Sequence, residues 1–525
     1  MREARPGLLL GLAGAGLFVA ALDAYLVVAL LPAMVTDVGL TIDRFEQATP
    51  IVSGFLGGYV IAMPLLGAYS DVRGRAPVYA LCIAVFAAGS AVTATAGSLP
   101  WLVAGRVLQG VGGGGLVPLT LALAADLYRN GARTFALGAV SALQEAGSVF
   151  GPIYGATFAS AAATLGGWRF VFWLNIPLAA ICGAGLLIAN RARRMPLRSD
   201  EPRGQVDWKS AGLLALGLGL LVVALYPDDP THRATSGLFV PLGILSLIVL
   251  GLYGWRQVHV LDPLIPRQLL RSPRFAGAAG ANLLIGAALM VALVDVPILG
   301  RLVFDLDQLA AGRLLTNFLV GVPLGAILGG FLAGRIGARV TAVLGSLLAA
   351  AAFLQMSTWQ AGELALRIGP VRPADITLAA CGLGFGIVIA PLAATVLQLT
   401  RAQHHGLASS LVVLARVIGM LVGLSALTAF GLFRFRQILG TPQLNDPDLR
   451  ARIEHLGRLV AAAFLQEYRE IFTIAAGLCI LAAIVVFATL GPPPRPPLMR
   501  GRSSPPSGEV TVRPQAGPTS SVPQR

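Results

Sequence analysis

The sequence predicts an all-helical protein that crosses a membrane about fourteen times, built as two related six-helix bundles with an extra pair of helices between them. Three observations carry that prediction. Of 525 residues, 56% are apolar and 12% are charged, with a mean hydropathy of +0.76. Soluble proteins carry about 25% charged residues, so a water-soluble enzyme of this size is excluded for want of polar surface. Apolar runs long enough to span a bilayer, about 20 helical residues for about 30 Å, recur along nearly the whole chain. Finally, short glycine and charge motifs occur twice at a constant offset.

The elements follow in order. The run 8–35 comes after Arg2 and Arg5 and is too long for a cleaved signal peptide, so it is the first span. The runs 48–69, 77–97, 100–124, 135–163 and 168–190 complete a first group of six. The runs 208–226 and 237–255 form the extra pair. A second group comprises 276–299, 311–333, 340–358, 374–398, 405–433 and 465–490. The 63 glycines are dispersed through these runs, as expected where small residues let helix backbones approach in lipid. Cys82, Cys182, Cys381 and Cys479 all lie in apolar stretches without metal or redox spacing and are expected as small core residues. Gly112–Gly115 follows no strand and has no Lys, so it is packing and not a phosphate loop.

The duplication appears in GAYSDVRGR (67–75) and GFLAGRIGA (330–338), each after the second span of its group. Gly67 and Gly74 map onto Gly330 and Gly337 with a shift of 263 residues, and Gly110 to Pro118 is echoed by Gly382 to Pro391. Parallel repeats of this kind describe transporters whose halves rock about a central site. The expected division is a first bundle over 1–190, a linker with two extra spans over 191–275, a second bundle over 276–490, and a disordered Pro-, Ser- and Gly-rich tail over 491–525.

Charge sets orientation. The net charge is +14, and every basic residue except Lys209 is Arg. Counted over alternate gaps, 24 basic residues fall on the side of the N-terminus and 13 on the other, six of these inside 434–469, while Arg106 and Arg416 lie inside spans. By the positive-inside rule both ends face the cytoplasm. Basic residues confined to short gaps between apolar runs do not suggest a nucleic-acid partner. The last two helical stretches, near 407–440 and 449–490, exceed the bilayer thickness. TPQLNDPD (441–448) supplies turn residues between them, so a helical hairpin over about 434–468 is expected to project from the outer face.

Ionisable groups inside a bilayer are costly and therefore candidates for function. Asp23, Arg106, Glu145, Asp295 and Arg416 stand out. At 1.5 Å per residue, Asp23 and Arg106 reach nearly the same depth, and Glu145 and Arg416 both reach mid-membrane on equivalent spans of the two groups. Two acid–base pairs are therefore geometrically possible. A carboxylate in low dielectric favours its protonated form and a neighbouring Arg restores the charge. An acid whose partner withdraws during a conformational change thus binds or releases a proton, and Asp23 is the main candidate, with Arg106 and Asp295 as further coupling residues. The loop Gly67–Arg75 is a tight turn in which Asp71 can cap a helix N-terminus and Arg75 can pair with Asp126, with Gly67 and Gly74 giving the backbone its freedom. In Gly147–Gly155, Gly147, Gly151, Pro152 and Gly155 put small residues and a bend on one helical face, expected to seal the two halves. His404 and His405 are expected at a solvated membrane edge.

LDAYLVVALLP (22–32), the Gly67 loop, AGRVLQG (104–110) and GSVFGPIYG (147–155) resemble, in order and in the right spans, the signature motifs of the major facilitator superfamily. GSVFGP is similar to the antiporter motif of its fourteen-helix drug/proton antiporter branch. MPLLGAYSD, LQEAGSVFGPIYG, LVDV (293–296), LARVIGML (414–421), FRFRQIL (433–439) and EIFT (470–473) look like the mycobacterial efflux permeases encoded beside a periplasmic triacylglycerol-binding lipoprotein. Two positions depart from the usual loop: Val72 stands where Arg normally follows the Asp, and Gly334 stands where the second copy would carry Asp.

The resemblance implies proton-coupled export of triacylglycerol-like lipids from the inner membrane by alternating access. It implies Asp23 in coupling, Glu145–Arg416 in an ion lock, and the outer hairpin in lipid handover to a lipoprotein. The expected protein is a monomeric multi-pass inner-membrane transporter without catalytic activity, metal or cofactor, driven by the proton gradient. The nearer alternative is an antiporter of amphipathic cationic drugs. A membrane lipid-modifying enzyme is more remote, because no His/Asp cluster stands at a membrane face.

Overall fold

Apolar runs fold into helices in a membrane because only a helix satisfies its backbone hydrogen bonds within one segment. The computed structural model describes residues 6–38, 49–128, 130–161, 167–191, 207–225, 235–260, 263–306, 310, 314–360, 362–365, 372–439 and 449–491. Fourteen long α-helices and no strands occur among them: α1 Pro6–Asp37, α2 Thr49–Arg73, α3 Arg75–Ala94, α4 Leu99–Leu127, α5 Asn130–Ala161, α6 Trp168–Arg191, α7 Trp208–Leu225, α8 Phe239–His259, α9 Pro273–Leu302, α10 Thr316–Ile336, α11 Ala338–Met356, α12 Pro373–Leu399, α13 His405–Leu439 and α14 Leu449–Thr489. Thirteen contain a stretch long and apolar enough to cross a membrane. The other, α5, has 32 residues and carries Glu145. The tail 492–525 and the turn 440–448 lie outside the described residues.

The helices alternate in direction, so α1 begins and α14 ends at the same face. Arg73, Arg75, Arg133, Arg256 and Arg335 also lie at this end of their helices, and it is termed the basic face. Its opposite is the far face. The sequence echo is visible in the backbone. Gly74 (φ 97°) and Gly337 (φ 88°) each form the one-residue break between helices, α2/α3 in one half and α10/α11 in the other. Such positive φ values suit glycine, which has no Cβ to clash.

The halves meet along two related seams. In one, α2 lies on α13, where a Cβ on Gly67 would come within 2.6 Å of the Gly406 carbonyl oxygen. In the other, α10 lies on α5, where a Cβ on Gly330 would come within 2.8 Å of the Thr134 carbonyl oxygen and 3.0 Å of Gly138 Cα. Without a hydrophobic drive between helices in lipid, such close backbone contact is how they hold together.

α7 and α8 form a separate antiparallel pair. Arg256 on α8 binds both carboxylate oxygens of Asp207 at 3.0 and 3.2 Å, and Ser246 donates to the Gly217 carbonyl at 2.8 Å. α7 packs on α2, where Trp208 meets Tyr69, and Ser425 on α13 donates to its Leu225 carbonyl at 2.6 Å. α8 turns Val240, Leu247, Ile248 and Val258 outward, a surface suited to acyl chains and not to water. α13 and α14, with 35 and 41 residues, are roughly 52 and 62 Å long. Toward the far face they are joined by the ion pair Arg434–Glu470 at 2.5 Å and by stacking of Phe435 on Phe464, followed by Tyr468 and Phe472.

Candidate functional site

Four helices of the first half converge on Asp23. α1 carries it, α4 supplies Arg106 and Gln109 one turn apart, α6 supplies Asn175, and α3 supplies Ser90 and Thr93. Arg106 Nη1 donates to Asp23 Oδ2 at 2.6 Å, while Gln109 Nε2 and Asn175 Nδ2 donate to Asp23 Oδ1 at 3.0 and 2.6 Å. Gln109 accepts from Arg106 and from Thr93, both at 3.0 Å, and donates to Ser90 at 2.8 Å. All six side chains are 0–1% exposed. Removing two charges from water is repaid only where neighbouring groups satisfy the remaining donors and acceptors, and Gln109 and Asn175 do that for the carboxylate. Glycines permit the approach: a Cβ on Gly89 would stand 2.5 Å from the Gln109 backbone nitrogen.

A cavity of about 290 Å³ lies between the halves. The Arg106 guanidinium reaches its edge, 4.4 Å above the Phe55 ring, with Asp23 behind it. The first half gives the wall its polar groups, Tyr25, Tyr59, Gln144 and Glu145; the second half contributes Leu289, Met290, Phe318, Val322, Met420 and Leu424, with Arg416 its one charge. Glu145 is the one acid in the lining, and Arg416 Nη1 stands 3.1 Å from its Oε1. This pair joins α5 to α13, equivalent helices of the two halves, across the middle of the molecule.

The basic face carries the densest cross-half bonding among the described residues. Asp71, at the end of α2, accepts the backbone N–H groups of Gly406 and Leu407 at 2.9 Å each, and so caps the N-terminus of α13. Arg75 pairs with Asp71, with Asp126 at 3.2 Å, and with Ser70 at 2.8 Å, and donates to the Ala402 carbonyl at 3.0 Å. Arg133 donates to the Leu397 carbonyl at 3.0 Å. Gly74 supplies the turn between Asp71 and Arg75, and Gly67 the contact with Gly406. Arg73, one residue beyond Val72, is exposed and stacks on Tyr69. Gly334 leaves the second copy without a carboxylate to match Asp71, so the seam at α10 and α5 rests on glycine contact instead.

His405 is a residue that sequence reasoning misplaced. It is 5% exposed, not at a solvated edge. Its Nδ1 lies 2.7 Å from Asp126 Oδ1 and its Nε2 lies 3.2 Å from Arg133 Nη2. A guanidinium only donates and a carboxylate accepts, so the two ring nitrogens bridge an acid of α4 and a base of α5. The glycine stripe of α5 is a second correction. Cβ atoms on Gly147, Gly151 and Gly155 would stand 2.6, 2.7 and 2.9 Å from Ala21 Cβ, the Leu22 carbonyl and the Leu26 carbonyl. The stripe therefore seats α5 on α1 inside the first half and does not seal the halves against each other. The Pro152 side chain lies outside the described residues. Asp295, on α9, stands apart from both ion pairs, and among the described residues its carboxyl has no hydrogen-bond or ion-pair partner.

The family profile of the Major Facilitator Superfamily matches residues 13–424. The chain is 39% identical over 502 residues to the triacylglyceride transporter of Mycolicibacterium hassiacum, covering 92% of each chain. It is 39% identical over 480 residues to the triacylglyceride transporter of Mycobacterium tuberculosis, covering 89% of this chain and 91% of that one. Among solved structures, the human organic anion transporter MFSD10 superposes with a TM-score of 0.59 at 19% identity, covering 92% of this chain and 99% of its own. The proton:xylose symporter XylE does so with a TM-score of 0.59 at 14% identity, covering 93% and 96%. With fourteen long helices, two related halves around a central cavity, and relatives that are transporters and not enzymes, this multi-pass membrane protein is a transporter that belongs to the major facilitator superfamily.

Proposed function

We propose that the protein is a proton-driven exporter of neutral, triacylglyceride-like lipids, set in the inner membrane with the basic face and both termini in the cytoplasm. The observation that carries this reading is the cavity wall. Its second-half side is apolar apart from Arg416, and its one acid, Glu145, is already paired. A cationic drug would need an unpaired acid there to replace its hydration; acyl chains need only apolar surface. The relatives named triacylglyceride transporters support the same substrate class.

In this reading the structure is in an outward-facing state, its cytoplasmic face closed by Asp71, Arg75, Asp126 and His405. Asp23 takes a proton from the outer side, which releases Arg106 from its counter-charge and loosens α1 against α4. The Glu145–Arg416 pair holds the two halves in this state until the cargo has left outward and Asp23 has been protonated. The halves then rock, the cytoplasmic face opens, and the proton leaves inward as lipid is taken up. The overlong α13–α14 hairpin lies at the periplasmic face, where a periplasmic lipid-binding lipoprotein would receive the cargo. The test is transport of a fluorescent triacylglyceride by the purified protein in proteoliposomes with an imposed proton gradient. Transport should stop when a protonophore collapses the gradient; undiminished transport would refute proton coupling, and transport of a cationic dye in its place would refute the substrate class.

A further inference from the structure

The cavity between the halves is one-sided in its hydrogen-bonding chemistry. Tyr25 of α1, Tyr59 of α2 and Gln144 of α5 line it from the first half, and Leu289 and Met290 of α9 with Met420 of α13 line it from the second. The charged groups of the lining are committed: Glu145 and Arg416 to each other at 3.1 Å, and Arg106 to Asp23 at 2.6 Å. The two tyrosines and Gln144 are half-buried. Among the described residues their hydroxyls and amide have no hydrogen-bond partner.

Packing fixes both tyrosines. A Cβ on Gly151 would stand 2.9 Å from Tyr25 Cβ, and one on Gly114 would stand 2.3 Å from the Tyr59 carbonyl oxygen, so α1 is seated on α5 and α2 on α4 at backbone distance. The Tyr59 ring stacks on Phe55 with 5.8 Å between centroids, and Phe55 lies under the Arg106 guanidinium at 4.4 Å. Rings held in this way have little freedom left to lose when their hydroxyls bind a ligand. Hydroxyls and a primary amide donate hydrogen bonds, and a cargo that displaces water from them must offer acceptors in return. An ester carbonyl is an acceptor without charge. The cavity, about 290 Å³, is at the low end of the roughly 300–1,000 Å³ of small-molecule pockets, so it holds the ester-bearing end of a lipid and not three long chains.

We propose that Tyr25, Tyr59 and Gln144 form an ester-reading subsite, donating to the carbonyl oxygens of a neutral glyceride whose chains start along Leu289, Met290 and Met420. The cargo is thereby oriented, ester end toward the first half and carbon toward the second. The subsite rests on the lipid reading above and adds what the cavity discriminates: a lipid is recognised by its carbonyls and not only by its apolar bulk. A lipid of the same shape without carbonyls leaves the donors unpaired, the loss by which a hydrogen-bonding site rejects an analogue that lacks the bonded group.

The test is competition binding to the purified full-length protein in detergent micelles, with no proton gradient. Bound pyrene-labelled trioleoylglycerol is displaced either by unlabelled trioleoylglycerol or by the glyceryl triether of the same chains, which has no carbonyl oxygens. A neutral hydrogen bond is worth about 2- to 10-fold in affinity, so the wild type should prefer the triester by about 10-fold or more. Tyr25→Phe and Tyr59→Phe should each cut that preference by about 2- to 10-fold, and the double variant should cut it further. Phenylalanine keeps the ring and its packing, and the ratio between two lipids does not move with a general loss of folded protein. Equal affinities in the wild type, or a wild-type ratio in the double variant, would overturn the ester-reading subsite while leaving a lipid as the cargo. Binding of neither lipid, with a cationic dye bound in their place, would overturn the lipid reading and the subsite with it.

Discussion

Replacing Asp71 by Asn perturbs one end of the closed basic face and little else. Asp71 accepts two backbone N–H bonds from the start of α13 across the seam, at 2.9 Å each. Hydrogen bonds to a charged group are worth about 1.5–3 kcal/mol against about 0.5–1.5 for neutral ones, and a negative charge at a helix N-terminus adds about 0.3–1 kcal/mol. Asn retains one neutral acceptor, so the closed state should lose about 2–3 kcal/mol relative to the open one. At about 1.4 kcal/mol per tenfold, that is roughly a 30- to 150-fold shift, enough to bring a 99:1 preference near parity. Arg75 keeps Asp126, so no buried charge is stranded. Spin labels at Arg73 and Arg401, both exposed, report the separation of the halves by double electron–electron resonance. The four native cysteines are buried and free, and leave the labelling chemistry to the introduced pair. Asp71→Asn should add a long-distance population; Asp375→Asn, which touches only a far-face pair within one half, should not. An unchanged distribution in Asp71→Asn would refute the argument that this cap holds the face closed.

Asp23→Asn should abolish gradient-driven transport and also lower stability by about 3–5 kcal/mol, because it leaves Arg106 as an uncompensated buried charge; denaturant unfolding checks the second effect, and normal stability would refute the pairing. Combining it with Arg106→Gln should recover much of the stability but none of the transport. Glu145→Gln should also lower stability, because it leaves Arg416, 5% exposed, without its carboxylate, and should release the two halves from each other; normal transport by this variant would remove the lock. His405→Leu should strip Asp126 and Arg133 of their shared partner and open the basic face less than Asp71→Asn does, because the Asp71 cap remains; the same spin-label pair measures it.

Much of the architecture was legible in the residues. Hydropathy marks thirteen of the fourteen long helices as able to cross a membrane, because in lipid a polar backbone has few ways to hide, and the distribution of Arg distinguishes the two faces. The glycine echo of Gly74 and Gly337 foretells the two equivalent breaks, since each is forced by a positive φ. Asp23, Arg106, Glu145 and Arg416 declare themselves because a charge in an apolar run is costly enough to need a reason. Rise per residue then gives their depth, and depth alone suggests the two pairs.

What the linear pattern leaves open is which helix stands beside which. Gln109, Asn175, Ser90 and Thr93 are neutral and cheap inside apolar runs, so nothing in the sequence marks them as the shell that satisfies Asp23. The stripe Gly147, Gly151 and Gly155 shows that α5 makes a close contact, but its partner α1 is fixed by lateral order in the bundle. His405 looks like a surface residue until α13 is seated against α4 and α5. Depth is a one-dimensional quantity that a chain encodes in its residue count; neighbourhood is two-dimensional and arises only when the helices pack.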